Sequence, residues 1–169
     1  MMRTLTLIRH AEAAPAGAVN GDFDRPLTAS GQIQAARLAV QLARAVPAPD
    51  LLISSPAARA QATAQVFAQA WNIASDKIIQ QSAIYEASVT TLLYLLQGID
   101  HSIGHVALVG HNPGISELAH ALARCSFGAL PTCGVVRIGF ADNSAWADLT
   151  PACGQQTHYL QPPPLTREF

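Results

Sequence analysis

Residues 4–10 read Thr4-Leu5-Thr6-Leu7-Ile8-Arg9-His10, an apolar run that ends abruptly in an arginine and a histidine. Such a run is typical of a buried strand in an α/β protein. Ligand sites in α/β proteins lie just beyond the carboxyl ends of the strands. We therefore expect Arg9 and His10 to stand at the mouth of a site, although a strand can also end in two polar residues that have no function.

The composition is that of one globular domain. The 169 residues are 50% apolar and 12% charged, which excludes general disorder. We expect a single domain over residues 1–160 and a proline-rich tail over residues 161–169. The formal net charge of −1 gives no indication of nucleic-acid binding. No apolar run approaches the ~18 residues of a membrane span, and the N-terminus does not resemble a signal peptide.

The cysteines indicate the redox compartment. Cys125, Cys133 and Cys153 include no Cys-x-x-Cys pair. This pattern favours free thiols in a reducing compartment over a disulfide scaffold or a zinc knuckle. We therefore expect a cytoplasmic protein.

Strands and helices are predicted to alternate along the chain. Helices are expected from the cap Thr28 to Pro47, from Pro56 (capped by Ser55) to Trp71, from Ser88 to Gly98, and over 115–122. Further strands are expected at 51–53, 78–79 and 105–109, and an antiparallel edge pair at 135–140 and 145–149. This order predicts an α/β fold with three layers, α/β/α, and a mostly parallel central sheet.

Polar turns follow two of the later strands as well. Ser54-Ser55-Pro56 leads to Arg59 in the first turn of a helix, and Gly110-His111-Asn112-Pro113 follows the strand at 105–109. Right-handed crossovers bring the carboxyl ends of parallel strands to one edge of the sheet. Arg9, His10, Arg59 and His111 are therefore expected to meet there.

Two arginines and two histidines at one edge are suited to phosphate chemistry. A guanidinium matches phosphate oxygens bidentately, and its charge keeps a neighbouring imidazole neutral and nucleophilic. Phosphoryl transfer requires mainly positioning and neutralisation of the phosphoryl oxygens. The set could form and hydrolyse a phosphohistidine at His10 without metal. Flanking arginines would repel a metal ion, so we expect neither a metal nor a cofactor.

Four motifs resemble those of the histidine phosphatase superfamily, which has the phosphoglycerate mutase-like fold. They read Leu7-Ile8-Arg9-His10-Ala11-Glu12, Arg25-Pro26-Leu27-Thr28-x-x-Gly31, Ser54-Ser55-Pro56-x-x-Arg59-Ala60-x-x-Thr63-Ala64 and Gly110-His111-Asn112-Pro113. They occur in family order and cover residues 4 to about 123. The departure is Ala11, where the family usually has glycine. A methyl group there matters only if the backbone needs a positive φ, and we expect it to be harmless.

The resemblance implies a histidine phosphatase in which His10 is the phosphorylated nucleophile. It implies that Arg9, Arg59 and His111 complete the phosphate pocket, and it places Glu86 where the family often has its acidic proton donor. The short interval between Arg59 and His111 resembles the small bacterial phosphohistidine phosphatases, which act on a partner protein. The implied partner is a phosphohistidine-bearing signalling or phosphotransfer protein.

Other functions remain open at this point. The same pocket could hydrolyse small phosphate esters; a mutase would need more basic residues than the ten Lys and Arg present. A non-catalytic phosphate-binding protein would be expected to lack the nucleophile or an arginine. Several polar residues also have structural interpretations. Glu12 would orient its loop, Asn112 would form a turn, Asp22, Asp24 and Glu86 would be solvated carboxylates, and His101, His105, His120 and His158 would be surface or structural residues.

Overall fold

A six-stranded sheet forms the centre of the computed structural model, which describes residues 2–17 and 19–163. The strands are β1 (Thr4–Arg9), β2 (Leu51–Ser54), β3 (Ile79–Gln80), β4 (His105–Gly110), β5 (Val135–Phe140) and β6 (Gly154–Leu160). Their order is β3-β2-β4-β1-β5-β6. The first four strands run parallel, whereas β5 is antiparallel to both of its neighbours. The predicted mostly parallel sheet is confirmed.

Helices cover both faces of this sheet. They are α1 (Ala29–Ala45), α2 (Ala58–Ala70), α3 (Val89–Gln97) and α4 (Gly114–Leu122). One core cluster joins the sheet to α1 and α2, and a second joins it to α3 and α4. Their packing gives the three layers that the strand and helix order predicts. No helix of the described chain is long and apolar enough to cross a membrane.

The predicted helix caps are confirmed at two of three positions. The Thr28 side chain accepts a hydrogen bond from the Gly31 N–H, and the Ser88 side chain accepts one from the Thr91 N–H. The predicted start of the second helix at Pro56 is wrong, because α2 begins at Ala58. The N–H of Ser55 donates to the carbonyl of Val109, so this residue continues the sheet before the chain turns.

The predicted strand at 145–149 is also wrong. This segment contains a short 3-10 helix, Trp146–Asp148, and the partner of β5 is instead β6. Trp146 is buried, and its indole N–H donates to the carbonyl of Ile103 at 2.7 Å. Burying this ring in the core turns the chain away from the sheet edge. The predicted tail begins directly after β6; residues 164–169 lie outside the described residues, so the domain boundary stays a prediction.

Candidate active site

The three central strands bring the predicted site residues together. Arg9 pairs with Gly110 across β1 and β4, and Ser54 pairs with Val109 across β2 and β4. The segments that follow these strands therefore leave the sheet at one edge. They line a cleft of about 790 Å³ that contains all five predicted residues, Arg9, His10, Arg59, Glu86 and His111.

His10 is held in one tautomer. Its Nδ1 lies 2.8 Å from the carbonyl oxygen of Ala11, which can only accept a hydrogen bond. Nδ1 therefore carries the proton, and Nε2 keeps its lone pair. Burial, together with the positive charges of Arg59 and Arg9, lowers the pKa of His10 to about 4. The side chain is thus a neutral imidazole with a nucleophilic Nε2 at neutral pH.

The backbone after His10 is fixed by Thr63. The N–H of Ala11 donates to Thr63 Oγ1 at 3.0 Å, and this hydroxyl donates to the carbonyl of Arg59 at 2.8 Å. One threonine therefore connects the His10 turn to helix α2. Ala11 is not among the residues with positive φ, so its methyl group causes no backbone strain and packs in the core. The prediction that this departure is harmless is confirmed for the backbone.

His111 lies beside His10, with 5.2 Å between the ring centroids. Its Nε2 lies 2.7 Å from Ser55 Oγ. Ser55 Oγ already accepts the N–H of Ala57, which favours its hydroxyl as the donor to His111 and leaves a proton on Nδ1 of the imidazole. Burial, His10 and Arg59 lower the pKa of His111 to about 3. This second imidazole is therefore also neutral and can donate a hydrogen bond through Nδ1.

Several N–H groups of the site have no partner within the described protein. The Nε atoms of Arg9 and Arg59 and the Nδ1 atom of His111 are all buried without a hydrogen-bond partner. Buried N–H groups are nearly always paired in folded proteins. The Nε atoms of Arg3 and Arg137 outside the cleft also lack a partner, so the distinctive feature of the site is that three such donors line one cleft. Two guanidiniums and one imidazole that retain unused donors around a neutral nucleophile fit an anionic ligand with several oxygens, such as a phosphoryl group.

The carbonyl of Leu130 positions Arg9, because it accepts a hydrogen bond from Nη1 of the guanidinium at 3.0 Å. The same carbonyl accepts the Asn112 side-chain amide at 2.8 Å, and the N–H of Leu130 donates to Ser116 Oγ at 2.9 Å. Asn112 therefore anchors a loop, which agrees with its interpretation as a structural residue. Through Leu130, it orients the guanidinium of Arg9.

Glu12 connects the site loop to helix α1. Its carboxylate accepts the Thr28 hydroxyl at 2.8 Å, and its carbonyl accepts the N–H of the same residue at 3.0 Å. A Cβ atom at Gly31 would collide with the carbonyl of Glu12, which explains the glycine in the second motif. Glu12 orients its loop, as expected.

Asp22 is exposed, as expected of a solvated loop carboxylate, but it also has partners in the site that the sequence did not predict. Its carboxylate accepts hydrogen bonds from the Tyr85 hydroxyl at 2.7 Å, from Arg59 Nη2 at 3.0 Å and from Arg25 Nε at 2.9 Å. The hydrogen bond from Tyr85, followed by the contacts with Arg59 and Arg25, lowers the pKa of Asp22 to about 2. Asp24, two residues further on, is exposed, as expected.

The remaining predicted residues fall into two groups. Glu86 is exposed at the rim of the cleft with a φ of 56°, and its role as proton donor stays a prediction. His105 is a buried structural residue whose Nε2 lies 2.7 Å from Thr6 Oγ1, while His101 and His120 are exposed. No group of three His, Cys, Asp or Glu side chains within the described residues could hold a metal ion.

Comparisons with known proteins agree with this geometry. Residues 5–92 match the model of the histidine phosphatase superfamily (branch 1), which is more than half of the chain. An uncharacterised protein of Mycobacterium tuberculosis is 28% identical over 86% of this chain and 94% of its own length.

Solved structures show the same similarity. A protein from Nakamurella multipartitia that is assigned as the phosphohistidine phosphatase SixA superposes with a TM-score of 0.81 at 26% identity, covering 96% of this chain and 97% of that one. The corresponding Agrobacterium tumefaciens protein gives 0.78 at 29% identity, with 95% and 98% covered. The chain therefore belongs to the histidine phosphatase superfamily (branch 1), has its phosphoglycerate mutase-like fold, and is a histidine phosphatase.

Proposed function

We propose that this protein is a metal-independent phosphatase that forms a phosphohistidine at His10 and removes phosphate from phosphohistidine on a partner protein. The observation that carries the proposal is the state of His10. This imidazole is buried and neutral, it is held by Ala11 with Nε2 free, and it shares the cleft with Arg9, Arg59 and His111. A neutral imidazole between guanidiniums is a nucleophile matched to a phosphoryl group.

The reaction has two steps. In the first, the lone pair of His10 Nε2 forms a bond to phosphorus, and the bond from phosphorus to the leaving group breaks. Arg9, Arg59 and the Nδ1–H of His111 stabilise the charge on the phosphoryl oxygens. In the second, a water molecule attacks phosphorus, the bond from Nε2 breaks, and phosphate leaves with the proton that water gives up. No step requires a metal, and Glu86 is the proposed proton donor when the leaving group is an alkoxide.

The SixA-assigned relatives support phosphohistidine as the substrate class. The cleft of this chain has a volume of about 790 Å³ and is open to solvent, and Asp22, in the 3-10 turn Asp22–Asp24, is one of its lining residues. A protein-borne imidazole can reach such a site, so the proposed partner is a phosphohistidine-bearing signalling or phosphotransfer protein. Small phosphate esters are the alternative substrates, because the same open cleft admits them. The three free cysteines support a cytoplasmic location for this activity.

The test offers the purified protein a phosphohistidine-bearing protein and a panel of phosphate esters side by side. We expect turnover in excess chelator, inhibition by vanadate, and an acid-labile, base-stable phosphoryl label on the enzyme. His10→Ala should abolish both label and turnover, whereas His101→Ala, an exposed histidine outside the cleft, should change neither. Turnover by His10→Ala close to wild type, or activity that chelator removes and zinc or magnesium restores, would refute the proposal.

A further inference from the structure

Asp22 accepts hydrogen bonds from two arginines that line the cleft. Arg59 donates from Nη1 to the Asp22 carbonyl at 2.8 Å and from Nη2 to its carboxylate at 3.0 Å. Arg25 donates from Nε to the other carboxylate oxygen at 2.9 Å, and its Nη2 forms an ion pair with the same oxygen at 2.9 Å. Both guanidiniums therefore already hold one anion, which belongs to the protein itself. The Nε–H of Arg59 is the donor of this guanidinium that has no partner within the described protein.

Hydrogen bonds and an aromatic contact hold the loop that carries Asp22. The Tyr85 hydroxyl donates to the carboxylate at 2.7 Å, and the ring of Tyr85 packs edge-to-face against Phe23 at 5.3 Å. Arg25 also donates to the carbonyl of Ala14 at 2.9 Å. A carboxylate that accepts hydrogen bonds from two arginines and a tyrosine is held at a fixed position. It therefore acts as a permanent negative charge in the cleft.

The charges of the cleft favour one phosphoryl group and no second anion. Three arginines line it, at positions 9, 25 and 59, together with four carboxylates, at positions 12, 22, 86 and 117. Three positive and four negative side chains give the lining a net charge of about −1, and Asp22 is the carboxylate that two of the three arginines hold, so little positive charge is left beyond what a phosphoryl group of about −2 requires. A second anionic group on the substrate would be repelled by the carboxylates of Glu12, Glu86 and Glu117. It would also compete with Asp22 for the donors of Arg25 and Arg59.

We propose that Asp22 is a specificity-determining residue that restricts this cleft to substrates whose only anionic group is the phosphoryl group. The proposal rests on the proposed function and narrows its substrate class. It favours phosphoryl groups on a neutral or cationic carrier, of which a histidine side chain is one. The cleft disfavours bisphosphates and phosphorylated carboxylates, because Asp22 and the other lining carboxylates, Glu12, Glu86 and Glu117, repel the second negative charge of such substrates.

The test compares the binding of ethylphosphonate and phosphonoacetate, two non-hydrolysable ligands of similar size that differ by one carboxylate. Calorimetry at low ionic strength gives the ratio of their affinities for wild type, Asp22→Asn and the matched control Asp24→Asn. Wild type should prefer ethylphosphonate. Asp22→Asn should shift the ratio toward phosphonoacetate by about three- to tenfold, the size expected for removing one charge at a few ångströms in a solvated cleft. Asp24→Asn, an exposed neighbour outside the cleft, should shift it by less than about twofold.

Salt provides a second measurement that needs no variant. Raising the ionic strength should improve the relative affinity of wild type for phosphonoacetate, because repulsion between exposed charges is screened. An unchanged ratio in Asp22→Asn, a wild-type preference for phosphonoacetate, or weaker relative binding of phosphonoacetate at high salt would overturn the inference. Since binding does not require turnover, these outcomes are distinct from a failure of the proposed function, which would appear as phosphonate binding without hydrolysis of any substrate.

Discussion

The protonation of His10 is the property on which the proposed chemistry depends most directly. A histidine in an unstructured peptide has a pKa of about 6.5; burial of His10, together with the charges of Arg59 and Arg9, lowers its pKa to about 4. At pH 5.5 an ordinary histidine is about 90% charged, whereas His10 should be only about 3% charged. The nucleophile should therefore stay neutral across the whole range from pH 5.5 to pH 8.

Nuclear magnetic resonance of protein labelled with ¹⁵N-histidine measures both the charge and the tautomer. We expect His10 to show the Nδ1–H tautomer, because Nδ1 donates to the carbonyl of Ala11. Its signals should not titrate until the pH falls to about 4. In kinetics, the acidic limb of kcat/KM should follow the same pKa once the ionisation of the substrate is taken into account.

A variant separates the causes of the shift. Arg59→Gln removes the largest electrostatic contribution, so the pKa of His10 should rise. It should stay below 6.5, because burial is the largest cause and the variant leaves His10 buried. A titration of wild-type His10 near pH 6.5, or a proton found on Nε2, would refute the mechanism, since the attacking lone pair would then be absent at neutral pH.

The remaining predictions concern three other residues. Arg59→Lys keeps the charge but loses the planar fork of donors, so kcat/KM should fall on the order of 10²-fold; a loss below about threefold would mean that Arg59 does not contact the phosphoryl group. Glu86→Gln should slow the hydrolysis of alkyl phosphates by roughly 10²–10⁴-fold and that of a phosphohistidine protein far less, because an imidazole leaves without such help; equal large losses on both substrates would favour a general ester phosphatase. Burial lowers the pKa of His105 to about 4, so between pH 4 and 6.5 the unfolded chain binds more protons than the folded protein, and stability is lost as the pH falls through this range. His10 and His111 also have lowered pKa values, so they contribute to the loss in every variant that keeps them. Denaturant unfolding at pH 7.5 and pH 5 should therefore show a loss of stability that is about 2 kcal/mol smaller in His105→Gln than in wild type; an equal loss in both proteins would contradict the argument.

Local sequence patterns predicted the parts of the fold that depend on local physics. Thr28 and Ser88 each precede a helix, and each side chain caps the amide three residues later. The apolar run of β1 ends at Arg9 because a charged side chain is rarely buried without a partner. Arg9, His10 and His111 were predictable for the same reason, since they end or directly follow β1 and β4, whereas Glu86 was predicted from the family resemblance.

The edge of the sheet depended on longer-range packing and was predicted incorrectly. The segment around Trp146 has the apolar character of a strand, but its ring is buried and its indole N–H needs an acceptor, which Ile103 supplies. The true edge strand, β6, begins Gly154-Gln155-Gln156-Thr157 and has little apolar alternation. Its backbone pairing with β5 stabilises it, and backbone pairing leaves little trace in the side-chain pattern.

The role of Asp22 could not be read from the sequence because its partners are distant along the chain. Only Arg25, three residues away, is a local partner; Arg59 lies 37 residues away and Tyr85 lies 63 residues away. A carboxylate in a polar loop is normally solvated, as the exposed Asp22 is, so composition alone favours the interpretation that it has no partner in the site. The strands β2, β4 and β1 are adjacent in the sheet, and this brings the start of α2 close to the loop that follows β1. Arg59 at the start of α2 can therefore reach Asp22 in that loop. Arg9, His10 and His111 thus stand at strand ends, where the pattern is local, whereas the proposed selectivity depends on a loop whose Asp22 accepts hydrogen bonds from Arg59 and Tyr85.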